Sequence, residues 1–202
     1  MVQAIFDVPE EGALTVFKDR LTRQAYLDLC AANPDLRIER EASGEVIVMA
    51  PAHSRSSNRN FYLNTKFGNW VLENQQGLGY DSSGGFDLPN GANRSPDVAW
   101  VRKERLRSLP GIDLDAFIPL CPDFVIELRS RTDRLPALQA KMREYIDNGA
   151  MLGWLIDPIT RRIWVYWPNQ AVEVLEEPEA LSGDPELPGF TLHLGPIWNP
   201  EY

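Results

Sequence analysis

Pro96-Asp97-Val98-Ala99-Trp100-Val101 and Pro122-Asp123-Phe124-Val125-Ile126-Glu127-Leu128 decide how this chain is read. Both are short, nearly continuous apolar runs, the pattern of central strands covered on both faces. Each carries an acid that such a strand should not tolerate. Glu127 stands between Ile126 and Leu128, and Asp97 heads the other run. An isolated carboxylate is costly to bury unless it is paired or binds a cation. Two readings stay open for each acid. Asp97 caps a turn, or it faces a site. Glu127 pairs with Arg129, which shares its face at i+2, or it joins Asp97 as an oxygen ligand for Mg²⁺, which needs only one or two acids.

Working outward, Arg23–Cys30 reads as a helix capped by Thr22 and stopped at Asn33-Pro34. Leu36–Glu41 alternates as a half-buried strand, and Glu45–Pro51 forms its hairpin partner across Ser43-Gly44. Apolar residues at helical spacing predict a long amphipathic helix over 56–76. Tyr80–Leu88 is expected to be a strand broken by a bulge or turn at its glycines. Residues 102–121 are a loop with a helical turn. Leu135, Leu138, Met142, Tyr145 and Ile146 mark a helix over 134–148, with Asp133 as its cap and Gly149 as its end. Two strands flanking Asp157–Thr160 make another hairpin, and short strands follow up to Pro188-Gly189-Phe190. This order describes an α/β (α+β) sandwich around one mixed sheet. Residues 1–20 are expected to form an N-terminal arm and 21–202 one domain.

Lys141 borders the apolar stripe of the 134–148 helix. Its stem can lie along the core while the ammonium reaches water, or the ammonium can point into the carboxylates and offset charge on a phosphoryl group. Glu39 shares a strand face with Arg37 and Glu41. A solvated face is the plain account, and a fourth site residue is the sharper one.

The 202 residues carry a net charge of −9 at a pI near 4.8, which argues against broad sequence-independent DNA binding. Cys30 and Cys121 lie in no zinc pattern, and His53 and His193 lie in no catalytic motif. No run is long enough to span a bilayer, and the acidic N-terminus is unlike a secretory signal, so the expected location is the cytoplasm.

The segments LRIEREASGEVIVMAP, RSPDVAWV, LCPDFVIELRSRTDRL, LQAKMREYIDNGAMLGWLIDP and LPGF, spread over most of residues 36–190, resemble the Uma-type endonuclease family, a branch of the PD-(D/E)XK nuclease superfamily. The resemblance implies a restriction-endonuclease-like core, a central mixed sheet flanked by helices with extra β-hairpins. It also implies Mg²⁺- or Mn²⁺-dependent cleavage of DNA. It puts the motif aspartate on Asp97, the motif glutamate on Glu127 and an upstream glutamate on Glu39. The superfamily's lysine two residues after the glutamate is Arg129 here. Arg is a poor general base, and the lysine is expected to have moved to Lys141. The carbonyl of Leu128 would add a metal ligand. Arg55, Arg59, Arg94, Arg102, Lys103, Arg105, Arg107, Arg131 and Arg134 are candidate phosphate contacts. By analogy, two copies would pair to cut both strands. The rival expectations are a silent nuclease-fold binding or scaffold protein, favoured by the acidic pI, and a hydrolase of small phosphorylated molecules.

Overall fold

The computed structural model describes residues 14–17, 20–49, 51–113 and 115–200. Its elements, in chain order, are β1 (Leu14–Phe17), α1 (Arg23–Ala32), β2 (Arg37–Arg40), β3 (Val46–Met49), α2 (Ser54–Asn74), β4 (Gly77–Asp81), β5 (Phe86–Asp87), β6 (Asn93–Arg94), β7 (Val98–Arg102), α3 (Lys103–Arg107), β8 (Phe124–Leu128), α4 (Leu135–Asp147), β9 (Leu152–Asp157), β10 (Arg162–Tyr166), β11 (Glu173–Glu176), β12 (Ala180–Ser182), β13 (Thr191–His193) and α5 (Gly195–Trp198). No helix among these residues is long and apolar enough to cross a membrane.

The central sheet has six strands in the order β11-β10-β9-β8-β7-β4. It is mixed, because β8 and β9 run parallel while the other pairs are antiparallel. The runs quoted first are its β7 and β8, buried at every position except Arg102. Their alternate residues feed two cores. Val98, Trp100, Phe124, Ile126 and Leu128 pack with Leu63 and Phe67 of α2. Ala99, Val101 and Val125 pack with Met142 and Tyr145 of α4. Helices therefore flank both faces, as the unbroken apolar runs require.

A second sheet, β1-β3-β2-β6-β5, stands beside the first. The expected single sheet thus becomes two, with a small β12-β13 pair besides. The β2-β3 hairpin belongs to this second sheet, with Ile38 opposite Val48. Leu14–Phe17, part of the expected arm, pairs along its length with β3. The rest of that arm up to residue 19 lies outside the described residues. The 80–88 strand is also corrected, since the chain leaves the first sheet at Asp81 and enters the second at Phe86. Asp81 Oδ1 closes the intervening turn by accepting from Ser83 N, 2.9 Å away, an Asx turn that competes with the ladder. The tail continues past Phe190 into β13 and α5.

Thr22 caps α1 as expected, its hydroxyl accepting from Ala25 N at 3.2 Å. Asp133 does not cap α4. The cap position falls on Arg134, and the Asp133 carboxylate accepts from Ser130 N instead.

Two glycines permit close packing, Gly77 against β7 and Gly153 against α4. A Cβ at Gly77 would lie 2.2 Å from the Trp100 indole nitrogen and 2.6 Å from the Val101 carbonyl oxygen. One at Gly153 would lie 2.5 Å from Met142 Cε, the far end of a flexible side chain. Overpacking typically costs about 1–3 kcal/mol. Gly77→Ala, which meets backbone, is expected near the top of that range and Gly153→Ala near the bottom. Urea unfolding of the two variants checks the order, and equal losses would contradict it.

Candidate active site

Ser95, Pro96 and Asp97 carry the chain from β6 in one sheet to β7 in the other. Antiparallel pairing sets Val98 opposite Ile126. One more step of this register sets Asp97 opposite Glu127, and residues directly opposed in such a pair share a face. The Leu128 N–H donates to Asp97 Oδ2 at 2.8 Å. From α2, Asn60 Nδ2 donates to Asp97 Oδ1 at 3.3 Å, and Asn64 Nδ2 donates to the Asp97 carbonyl at 3.3 Å. Asp97 is therefore fixed from both sides of the crossover, and it remains half-buried.

Glu127 is buried among groups from α4. Lys141 Nζ lies 2.8 Å from Glu127 Oε1, and the Tyr145 hydroxyl donates to the same oxygen at 2.9 Å. Lys141 and Tyr145 are one helical turn apart, so they lie on one face. The same ammonium donates to Glu39 Oε1 at 2.8 Å. Glu39, from the second sheet, also accepts from Ser95 N at 2.9 Å and from Arg94 Nη1 at 3.3 Å. The four residues singled out in the sequence, Glu39, Asp97, Glu127 and Lys141, gather where the two sheets meet α4.

Burial and charge act differently on these acids. Burial raises Glu127, the charges of Asp97 and Glu39 add to the rise, and Lys141 offsets only part of it, leaving the carboxyl at about 7. Burial also raises Asp97, against the Leu128 N–H and the charges of Arg37 and Lys141. Glu39 goes the other way. Burial works to raise it, but Lys141, Arg94 and the Ser95 N–H together hold it below its ordinary value. Burial works to lower Lys141, yet Glu127 and Glu39 hold it above its ordinary value, so it stays a cation.

The fit of a divalent cation can be judged from the groups present. Asp97 and Glu127 are neighbouring carboxylates whose charges oppose one another. Asn60 Oδ1, on the amide that holds Asp97, is buried without a hydrogen-bond partner among the described residues. Both Glu127 contacts above fall on Oε1. In an extended strand the N–H and C=O of one residue leave by the same edge, so the Leu128 carbonyl leaves β8 on the side of Asp97. These are all oxygen donors, suited to a hard cation that keeps several waters. Among the described residues no three His, Cys, Asp or Glu side chains group as a metal cluster.

Several sequence readings shift. Glu39 is buried, not on a solvated face. Arg129 does not pair with Glu127. Its Nη1 donates to Asp157 Oδ2 at 2.8 Å, and Asp157 is itself fully buried. Arg94 was only a candidate phosphate contact, but it is buried against Glu39, Glu41 and Glu144. Arg102 pairs with Glu186 and Asp123, and Arg105 with Asp123. Tyr145, Asn60 and Arg37 were not marked as site residues. For Tyr145 the signal was its i+4 spacing from Lys141. For Arg37 it was the strand face shared with Glu39.

The raised Glu127 carboxyl has a consequence for stability. A rise from the ordinary 4.5 to about 7 disfavours the charged form in the folded state, by on the order of 3 kcal/mol at 1.36 kcal/mol per unit. This penalty is complete above pH 7 and disappears as pH falls towards 4.5. In EDTA, Glu127→Gln should therefore match or exceed the wild type in Tm at pH 8. The balance should move towards the wild type by several degrees at pH 5. A Tm difference independent of pH would contradict the assignment.

No curated protein matches the chain. The fold matches the crystal structure of a protein from Anabaena variabilis titled a "putative nuclease belonging to DUF820", with a TM-score of 0.75 and 20% identity over 88% of this chain and 97% of that one. A family model, Uma2, described as "Putative restriction endonuclease", matches residues 23–195, and the chain belongs to that family.

Proposed function

We propose that this protein is a metal-dependent endonuclease that hydrolyses phosphodiester bonds in DNA. The carrying observation is the juxtaposition of Asp97, at the head of one inner strand, and Glu127, on the next, two carboxylates of like charge, with the Lys141 ammonium against one of them. Membership of Uma2 and the likeness to the Anabaena structure support the same reading.

Asp97 and Glu127 would hold Mg²⁺ or Mn²⁺, with the Leu128 carbonyl as a further oxygen ligand. Such a cation, when bound, polarises a phosphoryl oxygen and lowers the pKa of water. The protein's own groups do the positioning. The Leu128 N–H and Asn60 fix Asp97. The Tyr145 hydroxyl fixes one oxygen of Glu127 and leaves the other uncommitted by that bond. Lys141 stays charged, so it cannot take a proton from water. It is suited to orienting the nucleophile and to balancing negative charge that builds on the phosphoryl oxygens. Glu39, itself gripped by Arg94, holds Lys141 in place from the second sheet.

The net charge of −9 favours a second reading, a binding or scaffold protein that has kept the fold without cleavage. Supercoiled plasmid with Mg²⁺ or Mn²⁺ separates the two. The wild type should nick and linearise it, while Asp97→Ala and Glu127→Ala should be slower by about 100-fold or more. Titration calorimetry with Mn²⁺ should give a binding isotherm that both substitutions weaken. Absence of cutting by the wild type, or equal cutting by the variants, would remove the nuclease reading.

A further inference from the structure

The cations around the site differ in how they are used. Lys141 is shared by Glu39 and Glu127, Arg94 by Glu39, Glu41 and Glu144, and Arg129 is engaged by Asp157. Arg37 stands apart. It lies on β2 two residues before Glu39, on the same strand face. Among the described residues no carboxylate is in ion-pair contact with it. Its Nη2 donates to the Ser95 carbonyl at 3.3 Å, a long bond. Its Nε–H is buried with no acceptor among the described residues. A guanidinium has five donors in a fixed fork, so most of its capacity is unspent. Its charge is nevertheless felt at Asp97, where it draws the carboxyl down against burial.

An arginine in this state is unusual. Buried donors are normally matched, and the other cations of the site are matched by acids. A phosphate oxygen beside Asp97 would supply the acceptor that Arg37 lacks. Planar guanidinium groups suit this role because their fork grips two phosphate oxygens at once. The Ser95 carbonyl tethers the fork to the crossover that carries Asp97, so the anion would be held next to the acids.

We propose that Arg37 is a substrate-binding residue that grips a phosphate of the nucleic acid beside Asp97. The inference rests on the nuclease reading and deepens it by naming the residue that recognises the backbone anion.

The test uses the full chain as wild type, Arg37→Gln and Arg37→Lys. A short fluorescein-labelled DNA duplex is titrated by anisotropy with Ca²⁺ replacing Mg²⁺, at several salt concentrations, and cleavage of the same duplex is followed in Mg²⁺. Arg37→Gln should raise Kd and KM about 10-fold or more while kcat changes far less. It should flatten the slope of log Kd against log salt by about one unit, because one phosphate contact is lost. Arg37→Lys keeps the charge and should restore the slope, with affinity still several-fold below wild type for want of the fork. Mn²⁺ affinity should stay within about twofold in both. Kd and slope like wild type in Arg37→Gln overturn the proposal, as does a fall in kcat alone. If Arg37→Gln does not fold, Arg37→Lys decides, and wild-type affinity there overturns it. A wild type that cuts DNA while both variants match it sinks Arg37 alone. A wild type that neither binds nor cuts sinks the nuclease reading and Arg37 with it.

Discussion

The hydrogen bond from the Leu128 N–H to Asp97 Oδ2 joins the end of one inner strand to the start of the next, at the point where the chain changes sheets. Without it, Asp97 would sit in a crossover of three residues with only the longer Asn60 bond on its carboxylate. The bond satisfies a backbone donor at the sheet's end, which a buried strand requires in any case. It also spends the acid in a defined direction. The surrounding cores add rigidity. Val98, Ile126 and Leu128 lock into the layer under α2, and Val125 into the layer under α4.

The charges are arranged as a chain rather than as isolated pairs. Glu127, Lys141, Glu39, Arg94, Glu41 and Glu144 alternate in sign with one repeat at the end, and they draw on both sheets and on α4. Buried ions of this kind are a weak source of net stability, because desolvation offsets much of the attraction. Removing one member is costly, since it leaves its partners uncompensated. Asp97 stands outside this chain, with hydrogen bonds but no ion pair among the described residues. Under the proposed function, that contrast favours the Asp97–Glu127 pair over Glu39 as the place where a cation would relieve repulsion.

Much of this was legible in the sequence for one reason. Val98–Val101 and Phe124–Ile126 are too apolar for half-exposed strands, so Asp97 and Glu127 stood out against them, and the 3.6-residue period placed Lys141 at the border of its helix. The rest was hidden by physics that one-dimensional patterns lack. Glu39 alternates with apolar neighbours like any surface residue, and only the arrival of β6 and α4 buries it. Arg94 looks like a surface cation until three acids from distant segments converge on it. The turn at 82–85 splits one expected strand because an Asp81 side chain substitutes for ladder bonds. Asp133 was a reasonable helix cap by spacing, yet the Ser130 N–H claims it first. The burial of Asp157 beneath Arg129 explains why an arginine can stand two residues after Glu127. There it braces the β9-β10 hairpin and leaves the work near Glu127 to the helix.

The crossover through Ser95 and Pro96 has a kinetic meaning as well. Because Glu39 arrives with one sheet and Glu127 with the other, neither sheet contains the complete set of charged groups. Lys141 can meet both acids only after the two sheets and α4 have docked. The assembly is therefore a strongly non-local feature of the chain, with Glu39 and Lys141 102 residues apart, and it depends on docking rather than on local structure. Local strand and helix content can persist while this junction opens, so the cluster acts as a gauge of tertiary docking rather than of secondary structure.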